Sequence, residues 1–280
     1  MRIFEHRIDQ IFESRRRVNI RIASMFALAA LSGLSFGQEA RSITIEPASG
    51  SWVLTPLYVS QYMFRGTRLG GQAFQPSFEY DSGDLAVGVS GSFPISGKVK
   101  GQSDPEFDVY GSYAIELIPK SLALVPAFTL YTYPTARRAD GYYRATFEPA
   151  IAANYTLAGI RFTPKLYYDF ILKGPTAELT AACAIPLTRL GSELDLSATG
   201  GTFRWNSAAE NATPDVKNWG NYWLIGVTAP FQLTRASKIT AGVAVTRGSS
   251  NYYKQGIAPK VENPAAVGRI VVTVSYSVSF

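Results

Sequence analysis

The chain has 280 residues, 46% of them apolar and only 17% charged, with 16 Tyr, 16 Phe and 24 Gly. One cysteine, Cys183, excludes an intramolecular disulfide. One histidine, His6, leaves no imidazole after the N-terminal segment for a Ser-His hydrolase or a Cys/His metal cluster. The net charge of +6 is not gathered into a basic patch interleaved with aromatics, which argues against nucleic-acid binding.

Residues 1–37 read as an export signal. Arg15, Arg16, Arg17 and Arg21 precede an apolar run, Ile22 to Leu34, and Ser35 and Gly37 supply small residues ahead of a cleavage point before Gln38. The run is shorter than the ~20 residues a spanning helix needs. Six of the 27 basic and three of the 21 acidic residues lie in this segment, so the remainder carries a net +3. Residues 38–52 are expected to form a short periplasmic N-terminal segment, and 53–280 a single domain.

From there the dominant signal is period-two alternation, the mark of strands with one apolar and one polar face. Strands are predicted at 53–65, 73–81, 84–93, 106–117, 121–132, 142–156, 159–172, 176–186, 192–204, 219–232, 237–247 and 268–280. The clearest run sets Phe107, Val109, Tyr113, Ile115 and Leu117 against Asp108, Tyr110, Ser112 and Glu116. Tight turns at 81–84, 118–120, 156–158, 188–191 and 234–237 alternate with longer connections at 66–72, 94–105, 133–141, 173–175, 205–218 and 248–267. Six prolines, Pro56, Pro76, Pro126, Pro149, Pro164 and Pro230, fall inside the predicted strands and must coincide with bulges or strand ends, because proline donates nothing to a ladder. The last strand sets Ile270, Val272, Val274, Tyr276, Val278 and Phe280 against Val271, Thr273, Ser275, Ser277 and Ser279.

A soluble β-sandwich also shows alternation. Three features favour an all-β transmembrane antiparallel up-and-down barrel of about twelve strands. Short and long connections alternate around the whole chain. The polar face is rich in Ala, Gly and Ser. Tyr and Trp recur near strand ends (Trp52, Tyr80, Tyr131, Tyr133, Tyr142, Tyr143, Trp205, Trp219, Trp223), as an interfacial girdle requires. Tyr276, Val278 and Phe280 resemble the terminal signal read by the barrel assembly machinery of the bacterial outer membrane.

The segment Ser60-Gln61-Tyr62-Met63-Phe64-Arg65-Gly66 resembles the S-x-Y-x-F-R-G stretch on the first strand of the TorF family of porins. The likeness continues through Pro76 to Tyr80 and Gly83 to Ser92. Thr67-Arg68-Leu69-Gly70-Gly71 stands where that family typically has a Ser-Gln-Ser-like stretch, so the function of this loop does not carry over. The resemblance implies a Gram-negative outer-membrane pore, with Ser60, Tyr62, Phe64, Arg65 and Gly66 as its motif residues.

With the apolar faces toward outer-membrane lipid, the expected pore-lining residues are Arg65, Glu79, Asp108 and Glu116, then Arg144, Glu148, Arg161, Lys165, Asp169 and Glu178, with Glu193 and Asp195 beyond them. Bases gather on the sixth and seventh predicted strands and acids on the second, fourth, eighth and ninth. Two readings stand: opposed walls that create a transverse field across a path for small polar solutes, or a salt-bridged plug. Arg65 is expected to pair with an acid on the second strand, Glu79, either shaping the strand–loop junction or narrowing the pore. Passive diffusion through a porin-like channel is the expected function. A non-conducting barrel acting as adhesin or scaffold through loops 205–218 and 248–267 is the alternative. No enzymatic activity, cofactor or metal is expected.

Overall fold

A computed structural model describes residues 50–98, 105–136, 144–171, 173–204, 219–249, 266 and 268–280. The predicted signal segment, most of the 38–52 segment, the 205–218 loop and most of the 248–267 loop lie outside the described residues, as do Tyr142, Tyr143 and Trp205.

The chain forms a closed antiparallel barrel of twelve staves. The first stave is β1 (Ser51–Thr55) and β2 (Leu57–Val59), and a separate two-stranded hairpin follows, β3 (Tyr62–Phe64) and β4 (Thr67–Gly70). The second stave is β5 (Ala73–Phe74) and β6 (Ser77–Asp81), the third β7 (Leu85–Pro94), and the fourth β8 (Glu106–Tyr113) and β9 (Ile115–Ile118). The fifth to eighth are β10 (Leu122–Thr132), β11 (Ala145–Leu157), β12 (Ile160–Asp169) and β13 (Gly174–Leu187). The last four are β14 (Ser192–Arg204), β15 (Trp219–Thr234), β16 (Ser237–Gly248) and β17 (Arg269–Ser279). Each stave pairs with its sequence neighbours, and the last closes on the first through Val53↔Ser279 and Leu54↔Val278 and through Thr273↔Val59. Trp52 and Phe280 exchange two backbone hydrogen bonds of 3.0 Å at that seam. Closure leaves no unpaired sheet edge, which is what lets strands cross a hydrocarbon layer.

The burial pattern inverts that of a soluble core. Along β17, Ile270, Val272, Val274 and Tyr276 are exposed while Val271 and Thr273 are buried. Along β8, Phe107 and Val109 are exposed while Asp108 and Tyr110 are buried. An exposed apolar surface running round the whole barrel is stable only against lipid. Aromatic rings border it. Trp52 stacks on Phe78 at 4.8 Å, with Tyr80 and Phe280 beside them at the end that carries the short turns. Phe128, Phe147, Phe170 and Tyr168 form a ladder toward the end that carries the longer connections. Trp219 and Trp223 are exposed, as a girdle requires, but Tyr131 is buried in the bore and Tyr133 leans over it toward Glu106.

The prolines fall where the ladder is interrupted. Pro56 splits the first stave and Pro76 lies between β5 and β6. Pro126 faces the break between β8 and β9, since Ala127 pairs with Ser112 and Leu124 with Ile115. The β11–β12 register runs from Ala150 to Ala152 and resumes at Tyr155, which leaves Pro149 just beyond one end and Pro164 opposite the gap. Pro230 lies past the last β14–β15 pair, Asp195↔Thr228. In every case the missing N–H falls where a ladder bond is absent on at least one side.

Candidate functional site

The first predicted strand does not run to residue 65. It leaves the barrel wall at Val59, and residues 62–70 turn inward as the β3–β4 hairpin. Tyr62, Met63, Phe64, Arg65 and Thr67 are all buried. The local sequence explains the turn. Arg65 and Gly66 both adopt positive φ, 45° and 75°, and Gly66 permits the second of these at no cost. A Cβ on Gly66 would come within 2.6 Å of the Gly248 backbone nitrogen and 2.7 Å of the Arg247 carbonyl, so only glycine lets the hairpin tip lie against β16.

The hairpin spans the bore at the end that carries the longer connections. The Tyr62 hydroxyl donates to Glu106 on the fourth stave at 2.5 Å. Met63 packs on Val271 of the twelfth stave, with Leu224 of the tenth beside it. The Arg65 guanidinium donates to the Glu148 carboxylate on the sixth stave, forming an ion pair whose side chains are 6% and 2% exposed. In a ring of twelve, the sixth and twelfth staves stand opposite each other, so these contacts reach across the diameter. Arg65 therefore pairs across the bore with Glu148, not with Glu79 on the neighbouring stave. Lateral reach favours that partner once the chain has turned inward.

The Arg65 guanidinium also lies 4.7 Å from the centre of the Tyr167 ring and 4.8 Å from that of Phe64. Lys165 Nζ is 4.5 Å from the Tyr167 ring centre. The Tyr167 hydroxyl donates to Glu178 Oε1 at 3.2 Å and the Tyr222 hydroxyl to Glu178 Oε2 at 2.6 Å. Asp169 accepts from Thr146 at 2.6 Å. Glu148, Lys165, Tyr167, Asp169 and Glu178 thus form one constellation around the guanidinium, held by β11, β12 and β13.

The remaining expected lining residues separate. Glu79 and Asp108 are buried in the bore, with Ser90 donating to Asp108 at 3.3 Å. Arg161 is half-buried toward the short-turn end. Glu116 is exposed there and accepts the Lys120 N–H at 2.6 Å, so it belongs to the turn and not to the bore. Arg144 is exposed ahead of β11 and donates to the Ala136 carbonyl, which places it at the rim. Glu148 and Asp169 share the sixth and seventh staves with the bases, so those staves do not make a basic wall.

Glu106 and Tyr222 belong to the site without a sequence signal that singled them out, as do Asp81, buried on the second stave, and Lys238, half-buried on the eleventh, while Met63 stood out only as part of the Ser60–Gly66 motif. Glu106 was within reach, because it is in phase with Asp108 on the polar face of the same strand. Among the described residues no group of carboxylates, cysteines and histidines has the arrangement of a metal site.

A closed antiparallel barrel with an apolar exterior and a polar interior has the architecture of an outer-membrane-type barrel. The chain aligns with the KdgM porin at a TM-score of 0.51, with 9% identity, over 81% of this chain and 99% of that one. It also aligns with the NanC porin at 0.47, with 8% identity over 82% and 100% of the two chains, and with an outer membrane channel from Pseudomonas putida F1 at 0.47, with 9% identity over 85% and 97%. At such identities the likeness is one of fold. The chain belongs to the family described as "Bacterial protein of unknown function (Gcw_chp)", which matches residues 25–171, over half its length. That match includes the Ser60–Gly66 motif but carries the Gcw_chp description rather than that of the TorF porins. No curated protein matches the chain.

Proposed function

We propose that this protein is an outer-membrane channel for passive diffusion of small polar solutes or ions, exported on residues 1–37, with the segment from 38 in the periplasm and the barrel beginning at Ser51, two residues before the expected boundary at 53. The observation that carries this reading is the polar, charged interior behind an apolar exterior. A barrel that served only as a membrane anchor would have no need of carboxyl, guanidinium and ammonium groups inside, each of which is expensive to bury. The Ser60–Gly66 motif supports the same reading through the porin family it resembles. Insertion is proposed to depend on the assembly machinery recognising Tyr276, Val278 and Phe280.

The interior favours cations. Glu79, Asp81, Glu106 and Asp108 on the second and fourth staves, and Glu193 and Asp195 on the ninth, are buried. Glu148, Asp169 and Glu178 add to them. Against these stand Arg65 and Arg68 on the hairpin, and Arg161, Lys165 and Lys238 on the wall. Low-dielectric walls concentrate the field of the excess sign and raise the local concentration of counter-ions.

The test is single-channel recording of the refolded mature barrel in a planar bilayer under a salt gradient. Discrete steps with a reversal potential on the cation side support the proposal. A folded, heat-modifiable barrel that never conducts supports the second reading, an adhesin or scaffold, which the hairpin across the bore favours.

A further inference from the structure

Arg65 occupies a seat that the barrel wall provides. Glu148 supplies a carboxylate, Tyr167 an aromatic ring, and Glu178 a second carboxylate that accepts hydroxyl hydrogen bonds from Tyr167 and Tyr222. These groups stand on β11, β12, β13 and β15 of the main sheet, Glu148 through its pairing with Thr129 on β10 and the others through the ladders that join β12 to β15. The guanidinium arrives on a hairpin that belongs to a different, two-stranded sheet. The seat is part of the barrel wall, and its occupant is carried on an element outside the main sheet.

Without Arg65, a carboxylate 2% exposed would lose its ion-pair partner and keep only the Lys165 ammonium, 4.5 Å from the centre of the same Tyr167 ring, as a nearby cation. A buried carboxylate requires a counter-charge. A planar cation that forks onto a carboxylate and stacks on a ring meets both requirements better than a compact ammonium does. The native occupant is itself a guanidinium, which donates from one Nη to Glu148 and lies 4.7 Å from the centre of the Tyr167 ring.

We propose that Glu148, Tyr167 and Glu178 form a binding site for small organic cations bearing a guanidinium group, which Arg65 fills when the hairpin lies across the bore. An incoming guanidinium exchanges with Arg65, the hairpin leaves the wall, and the same solute that takes the seat opens its own path. Alkylammonium solutes bind the seat more weakly because they lack the planar fork. This proposal rests on the channel reading.

Ethylguanidinium chloride is the probe, with ethylammonium chloride as control. In planar bilayers, the Arg65→Ala barrel, its seat vacated, is expected to show current block by ethylguanidinium at a concentration at least tenfold below that needed for Arg65→Ala with Glu148→Gln. Ethylammonium should show a smaller difference. Equal block in the two variants would overturn the site while leaving the channel intact. If no variant conducts, the channel reading fails, and calorimetric titration of ethylguanidinium into detergent-solubilised Arg65→Ala decides the site by itself: heat abolished by Glu148→Gln supports it, and no heat overturns it. Should Arg65→Ala not yield the heat-modifiable folded form, the otherwise unaltered protein carrying Thr67→Cys with Cys183→Ala serves instead. Ethylguanidinium should speed labelling of that cysteine in proportion to its concentration, and an unchanged rate would refute exchange with Arg65.

Discussion

The Arg65–Glu148 pair holds the hairpin across the bore, and Glu148→Gln measures how firmly. Both side chains are almost fully buried, so removing one charge strands the other in the seated state. When the hairpin swings out, Arg65 regains water, and the penalty falls on the seated state alone. Breaking a buried pair by removing one partner costs about 3–5 kcal/mol. At about 1.4 kcal/mol per factor of ten, the seated-to-released ratio should fall by roughly two to three and a half orders of magnitude. Thr67 reports that ratio, because its side chain is 1% exposed on β4 and becomes accessible only when the hairpin leaves. The assay is the labelling rate of Thr67→Cys by a membrane-impermeant maleimide. It is run in a Cys183→Ala background, since Cys183 pairs with Leu196 on the lipid face and is not fully buried. Glu148→Gln should raise the rate by at least about 100-fold. The double change Arg65→Met with Glu148→Met should bring it back toward the parent, since apolar replacement of both partners removes the stranded charge. A rate in Glu148→Gln within about threefold of the parent, well under one such decade, would mean that the pair does not hold the hairpin.

Three further outcomes follow from the same geometry. Gly66→Ala should label Thr67→Cys as fast as Glu148→Gln does, because its Cβ would strike the Arg247–Gly248 backbone and its φ of 75° disfavours a side chain; a parental rate would show that β16 gives way instead. Val243→Arg, on the lipid face of β16, should lower stability by about 2–4 kcal/mol if it lies near the bilayer midplane, read from denaturant titration in lipid vesicles, whereas an unchanged midpoint would place that position at the interface. Arg161→Gln with Lys165→Gln should move the reversal potential further to the cation side in a salt gradient, and no movement in a conducting channel would take both residues off the ion path.

The barrel was legible because its determinants are local. In a single-layer closed sheet each stave pairs with its sequence neighbours, so period-two alternation states which side chains meet lipid and the spacing of turns states the number of staves. The strand beginning at Glu106 and the one ending at Ser279 were read within a residue or two for this reason. The site was partly legible: Asp108, Glu148, Lys165, Asp169 and Glu178 follow from the polar phase of their strands. Arg144 and Glu116 share that logic but fall beyond or at the ends of the staves, where alternation stops reporting direction.

By itself, then, the sequence determined the alternating faces, the turns, the twelve staves and the closing strand, because each depends on residues close together in the chain. Tertiary structure alone decided that Tyr62 to Gly70 fold inward, and which partners they meet. Arg65 and Glu148 are 83 residues apart, and Tyr62 and Glu106 are 44 apart. Alternation along a strand carries no information about a contact across the bore, since that contact depends on the barrel's diameter and on where the chain leaves the wall. The trace of the inward turn was the run Tyr62-Met63-Phe64, buried at three successive positions, which a wall strand with one face to lipid does not allow.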